Sequence, residues 1–179
     1  MILPASAARC WLFHANIHDA TMRIILIILG FFILCNFCKA EITPNFNDYA
    51  VSQEQVGTAK LNIRSKMDRR YKTMLETAID RQPTPNFAGH YIFASWGCGA
   101  SCIQSVAINA KSGNVIWLPF TVCCFAKGIM DPIEYQLTSN LIIIQGSRNE
   151  RGNGTYYYKL LNEKFILVKE HTPLNLNGD

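Results

Sequence analysis

Four cysteines, Cys98, Cys102, Cys123 and Cys124, fall in two short stretches of the chain and are its most reactive side chains. A thiolate at Cys98 or Cys102 activated by a histidine would make a Cys-dependent hydrolase or transferase. His90 is the nearest base in sequence. It stands at the far end of the strand expected before Cys98, and a strand advances about 3.3 Å per residue, which puts it outside hydrogen-bond reach unless the chain folds back. His171 lies in the polar stretch after the last expected strand. Zinc would need the four sulfurs to converge tetrahedrally, and the adjacent Cys123-Cys124 pair departs from the usual ligand spacing. Asp131 and Glu134, beside Pro132, could act as a carboxylate pair, but no second acidic cluster in the β region supports them. These residues give no complete catalytic set, and no metal or other cofactor is expected.

Whether the cysteines meet as thiols or as disulfides depends on the compartment, and the start of the chain bears on that. Met22-Arg23 precedes an apolar run at 24–35, and Cys38-Lys39-Ala40 puts small residues three before and one before a cut after Ala40, which is the pattern of a cleavable signal peptide at 22–40. The run at 24–37 is shorter than the roughly 20 apolar residues of a membrane span, so no stable span is expected after cleavage. A lipoprotein signal needs a small residue before its cysteine, where Leu34 and Phe37 stand here. Residues 1–21 show no period and are read as an upstream extension without a fold. The exported part then begins at Glu41 and is expected to be periplasmic or secreted.

Cleavage removes Cys10, Cys35 and Cys38 from the seven cysteines of the chain and leaves an even number. In an oxidising compartment that favours disulfides. Three complete pairings are open. One joins Cys98 to Cys102 and forces the neighbours Cys123 and Cys124 together, which is strained; the other two link the 98/102 loop to the 123/124 loop. At least one bond between the loops is expected, with a lone Cys98–Cys102 bridge and two free thiols as the rival. The whole chain carries 17 Lys plus Arg against 13 Asp plus Glu. Arg9, Arg23, Lys39 and Asp19 precede residue 41, which leaves a net charge of about +2, too weak to argue for nucleic acid.

The elements that must position these residues follow from periodicity. Residues 41–62 are polar, with Pro44 and several Asn, and read as a flexible arm. Met67, Tyr71, Met74-Leu75 and Ala78-Ile79 recur at spacings of three and four, which predicts an amphipathic helix over 65–81, stopped by Pro83 and Pro85. Runs rich in β-branched and aromatic residues at 91–96, 105–109, 115–120, 134–137, 141–145, 155–161 and 165–170 predict strands. Short turns at 111–114, 139–140, 149–154 and 162–163 imply an antiparallel meander. The expected fold is α+β and mostly β: six to eight antiparallel strands curved into a partial barrel or sandwich, with one N-terminal helix, in a single domain over 63–179.

The stretch Asn86-Phe87-Ala88-Gly89-His90-Tyr91, the turn Trp96-Gly97-Cys98-Gly99-Ala100-Ser101-Cys102, the hairpin at 113–120 and the strand Tyr156-Tyr157-Tyr158 resemble a family of small exported bacterial β-rich proteins that carry NFAGHY, WGCGxxC, LPF and YYY segments. The resemblance covers about 85–168 and implies export and a β-fold; the family has no established activity and supplies no catalytic residues. The residues themselves point first to a disulfide-stapled binding module or inhibitor-like envelope factor acting on a protein or envelope component. It would present Trp96, Gly97, Gly99 and Ser101 and the Cys123-Cys124 loop. Arg148, with Glu150 and Arg151, forms a charged turn that is a solvated hairpin tip in its plainer reading and a contact for an anionic partner in its functional one. Asn153-Gly154-Thr155 matches a glycosylation acceptor, relevant only in a host that glycosylates exported proteins. A Cys-dependent enzyme and a structural envelope protein or secreted effector are the alternatives.

Overall fold

The computed structural model describes residues 42–172 apart from Thr58 and Lys127, so the signal-like segment, the extension before it and the last residues lie outside the described residues. The described residues from Pro44 onward form one compact unit. Ser65 opens the helical part with a capping box: its hydroxyl accepts from the Asp68 amide while Asp68 accepts from the Ser65 amide. The stripe expected to make one helix makes two, α1 (Lys66–Arg70) and α2 (Lys72–Arg81). The break is a kink at Tyr71, with φ −107° and ψ 19°. Hydrogen bonding continues through it, because the Tyr71 amide donates to Met67 and its carbonyl accepts from Leu75, each at 3.0 Å. The kink sets the Tyr71 ring 6.1 Å from Trp96 and 5.4 Å from Trp117.

Apart from one 3-10 turn at Phe46–Tyr49, the remaining elements form an 8-stranded antiparallel sheet with open ends: β1 (Tyr91–Gly99), β2 (Cys102–Asn109), β3 (Val115–Trp117), β4 (Val122–Cys123), β5 (Ile133–Tyr135), β6 (Leu141–Arg148), β7 (Arg151–Leu161) and β8 (Lys164–His171). Two long units dominate, the β1–β2 hairpin and the β6–β7–β8 meander. Between them lie only short strands. β3 pairs with β2 and β5 with β6, while β4, two residues long, pairs with both long units and so forms a narrow waist. One face of the sheet gathers Phe87, Phe93, Ala107, Leu118, Val122, Ile142, Ile144, Tyr156 and Tyr158 into the main core. On the other face, Leu75 and Ile79 of α2 cover Ile92, Val106 and Ile108. The first three residues of β1 and β2 from Gln104 onward are therefore buried on both faces, while β1 opens to solvent toward Gly99.

The segment expected to be a flexible arm is instead laced to this sheet. Val51 donates to Thr138, Glu54 to Gly89 and Asn62 to Gly113 across 2.8–3.0 Å. Gly113 has to be glycine: its φ is +74°, and a Cβ there would fall 1.8 Å from the Lys60 carbonyl oxygen. The turn expected over 149–154 is tighter than its composition suggested. Asn149 and Glu150 make it alone, with φ of 50° and 64°, and β7 begins at Arg151. Asn162 and Glu163 repeat the geometry between β7 and β8, at 50° and 58°. Both are two-residue turns of the mirror-image kind that suits a twisted hairpin, each with glutamate where glycine is usual.

Candidate functional site

Two places hold chemistry-bearing side chains together. The first is a groove of about 480 Å³ between the start of α1, β3 and the β7–β8 turn. Its floor is an internal polar network. Asp68, 3% exposed, accepts from the Arg64 and Ser65 amides at 2.9 and 2.8 Å, from Ser65 Oγ at 2.6 Å and from Trp117 Nε1 at 2.8 Å. Burial alone would raise its pKa; the hydrogen bonds from Ser65, Trp117 and Arg64 outweigh burial and bring it down to about 2. Opposite, Glu163 accepts from Asn109 at 3.2 Å and from Asn114 at 3.0 Å on each of its oxygens. Those contacts hold Glu163 at its left-handed backbone angle.

Both carboxylates of the groove are thus used within the protein, while its cations, Arg64 and Lys164, are exposed at the rim. The Asn62 carboxamide lies within 3.1 and 3.2 Å of Arg64 Nε and Nη2 and 3.1 Å from Asn114 Oδ1, between the two sides of the groove. Trp117 and Phe165 supply half-buried aromatic walls. The flanking charge is one-sided. From 60 to 70 the chain holds Lys60, Arg64, Lys66, Arg69 and Arg70 and a single acid, the buried Asp68, while Lys72 just beyond pairs with Glu76 at 3.5 Å. The Arg70 guanidinium lies 5.7 Å over the Tyr71 ring. Sequence reasoning passed over this cluster because it follows apolar periodicity along the helix; the run of basic residues and the Ser65-to-Asp68 capping spacing were the signals that could have found it.

The second place is the cysteine corner at the waist of the sheet. Cys98 is bonded to Cys102, with their Cα atoms 5.1 Å apart, while Cys123 and Cys124 are thiols. The expected bond between the loops is therefore replaced by the bridge within the hairpin. The Ala100-Ser101 turn, with Ser101 at φ 52°, already brings the two arms of the hairpin to bridging distance. Cys123 lies directly opposite Cys102 in the β2–β4 pairing, and its sulfur is 2.6 Å from that of Cys124. Hydrogen bonding to Cys124, followed by burial, pushes the Cys123 thiol up.

The other candidate residues are dispersed. Trp96 is half-buried and meets Trp117 edge-on at 5.8 Å, with Nε1 enclosed and lacking a hydrogen-bond partner. Gly97 and Gly99 sit at the exposed end of β1, Gly99 at φ 146°. His90 is at the opposite end of β1 from Cys98, where its Nδ1 lies 2.8 Å from Glu54, which also holds Lys111. His171 closes β8 opposite Thr155. Arg148 turns inward: it donates to Tyr158 at 2.7 Å and Glu170 at 2.8 Å and stacks 3.8 Å over Tyr156. Glu134 accepts from Gln145 at 2.8 Å. Asn86 acts as a strand in miniature, its carboxamide accepting from the Phe93 amide at 2.7 Å and donating to the Phe93 carbonyl at 3.1 Å. Gly89 donates to Leu137 at 2.6 Å and Phe87 is fully buried, so the 86–91 stretch docks the start of β1.

Among the described residues no group of three or more His, Cys, Asp or Glu could hold a metal ion, and no helix is long and apolar enough to cross a membrane. The chain matches no family model, no curated protein and no solved structure.

Proposed function

We propose that this chain is an exported, disulfide-stapled binding module whose groove beside Trp117 receives a carboxylate-bearing partner. One observation carries the reading: Asp68 and Glu163 are saturated by internal hydrogen bonds, whereas Arg64 and Lys164 face outward beside an aromatic wall. Charge-assisted hydrogen bonds from a guanidinium and an ammonium suit a carboxylate, and a tryptophan face suits the apolar part of the chain that bears it. The α1 cations extend the attraction along an acidic segment. Export rests on the signal-like segment at 22–40 and on the disulfide, in keeping with the small exported proteins the sequence resembles. The Trp96 side of the aromatic cluster would act as support for Trp117.

The test uses tryptophan emission of the chain from Glu41 onward, titrated with poly-L-glutamate and with an uncharged polymer as control. The expected result is a saturable change with poly-L-glutamate alone, weakened at least roughly tenfold, or about 1.4 kcal/mol, by the double charge reversal R64E/K164E. Equal binding by that variant, or none by the unmodified protein, would overturn the reading.

A further inference from the structure

We propose that Cys98, Cys102, Cys123 and Cys124 form a single thiol–disulfide exchange unit, in which the bond at the hairpin tip moves to the waist of the sheet through a Cys102–Cys123 intermediate. The argument is geometric. Cys102 is bonded to Cys98, and it is also the cross-strand partner of Cys123. Directly opposed residues of an antiparallel pair have Cα atoms about 4.5–5.5 Å apart and side chains on one face, within the range that a disulfide spans. Ile103 and Val122, the next opposed pair, belong to the main core, so Cys102 and Cys123 share the other face. Cys123 in turn touches Cys124, at 2.6 Å between sulfurs, with the backbone of Cys124 already turned to φ 57°. Each inner cysteine therefore has two possible sulfur partners, and the outer two, Cys98 and Cys124, are exposed. Gly146 lets the waist pack this closely, since a Cβ there would lie 2.5 Å from the Cys123 carbonyl oxygen.

The chemistry balances without an external oxidant or reductant. The Cys123 thiol gives its proton to solvent, and the thiolate attacks the Cys102 sulfur; the Cys102–Cys123 bond forms, the Cys98–Cys102 bond breaks, and Cys98 leaves as a thiolate that takes up a proton. Cys124, deprotonated in the same way, then attacks the Cys123 sulfur, forming the Cys123–Cys124 bond and releasing Cys102 as a thiol. One disulfide and two thiols stand on each side. In the second state the β1–β2 tip is open and its two cysteines are available to an outside partner.

The exported chain, purified without reductant and held at mildly alkaline pH, is sampled over time, acid-quenched, alkylated and digested with trypsin. Lys111 separates the two cysteine pairs, so a bond within either pair and a bond between the pairs give different peptide masses, and fragmentation of the cross-linked peptides locates the alkylated cysteines and so tells Cys102–Cys123 from the other cross-links. The expected result is partial loss of the Cys98–Cys102 peptide in step with the gain of a Cys123–Cys124 peptide and alkylated Cys98 and Cys102, to a constant ratio in which the less strained Cys98–Cys102 bond predominates, at a rate independent of protein concentration. In Cys124→Ser the second step has no nucleophile, and the two peptides become cross-linked through Cys102 and Cys123 while Cys98 labels to near completion. Persistence of Cys98–Cys102 as the sole bond in the unmodified protein, or a rate proportional to concentration, overturns the proposal whether or not the variant folds.

Discussion

Asp68 shows how one side chain can set a local structure. It caps α1, holds Trp117 through its indole nitrogen and gathers four hydrogen bonds while almost fully buried. Its pKa falls from an ordinary 3.8 to about 2, so its contribution to stability is complete above about pH 4 and is lost as the pH falls toward 2. The corresponding free energy is about 2 kcal/mol, and Asp68→Asn, which turns an acceptor into a donor facing donors, should lower the stability measured by urea unfolding at neutral pH by at least that much. The same loss should appear as a falling urea midpoint between about pH 4 and 2 in the unmodified protein and be absent from the variant. Cys123 behaves in the opposite sense. Its raised pKa and burial predict that a brief iodoacetamide pulse, shorter than the exchange with Cys102, labels exposed Cys124 ahead of buried Cys123, with the lag narrowing as the pH is raised, which mass spectrometry of partly labelled protein would show.

At the scale of elements, the two mirror-image turns carry a backbone cost that is removable at one of them. Glu150 sits exposed at φ 64°, so Glu150→Gly should raise stability by about 0.5–1 kcal/mol, read as a higher melting temperature. Glu163 lacks that freedom, because its carboxylate is bound to Asn109 and Asn114. Leu75, fully buried between α2 and the sheet, should cost about 2–5 kcal/mol on truncation to alanine. The mostly β fold was legible because its long strands are bounded by turn residues and rich in Ile, Val and Tyr. The division of the helix was not, since the apolar spacing runs straight through Tyr71 and only the packing of its ring against two tryptophans reveals the kink. β4 is too short to leave a pattern. The groove draws on residues near 64, 117 and 163, whose meeting depends on strand order rather than on spacing, whereas the cysteines were visible as a group and their pairing hung on the register of β2 and β4.

The whole molecule is two long strand units that share one core but join in the ladder through only two residues of β4. Amide exchange should accordingly be faster at Val122 and Cys123 than at Ile142 or Tyr157, as deuterium labelling followed by NMR would register. The Cys98–Cys102 bridge closes a loop with a sequence separation of 4, so in the chain-entropy account it adds only about 2 kcal/mol and a reduced sample should remain folded. Across the sheet from the main core, Trp96 and Trp117 cross at 5.8 Å with their rings 89° apart. Indoles held that close share their excited states, and the pair should split the far-ultraviolet circular dichroism into two lobes of opposite sign. Replacement of either tryptophan would erase both lobes together, giving this corner of the molecule an optical signature that depends on the two strands and the kinked helix being in place.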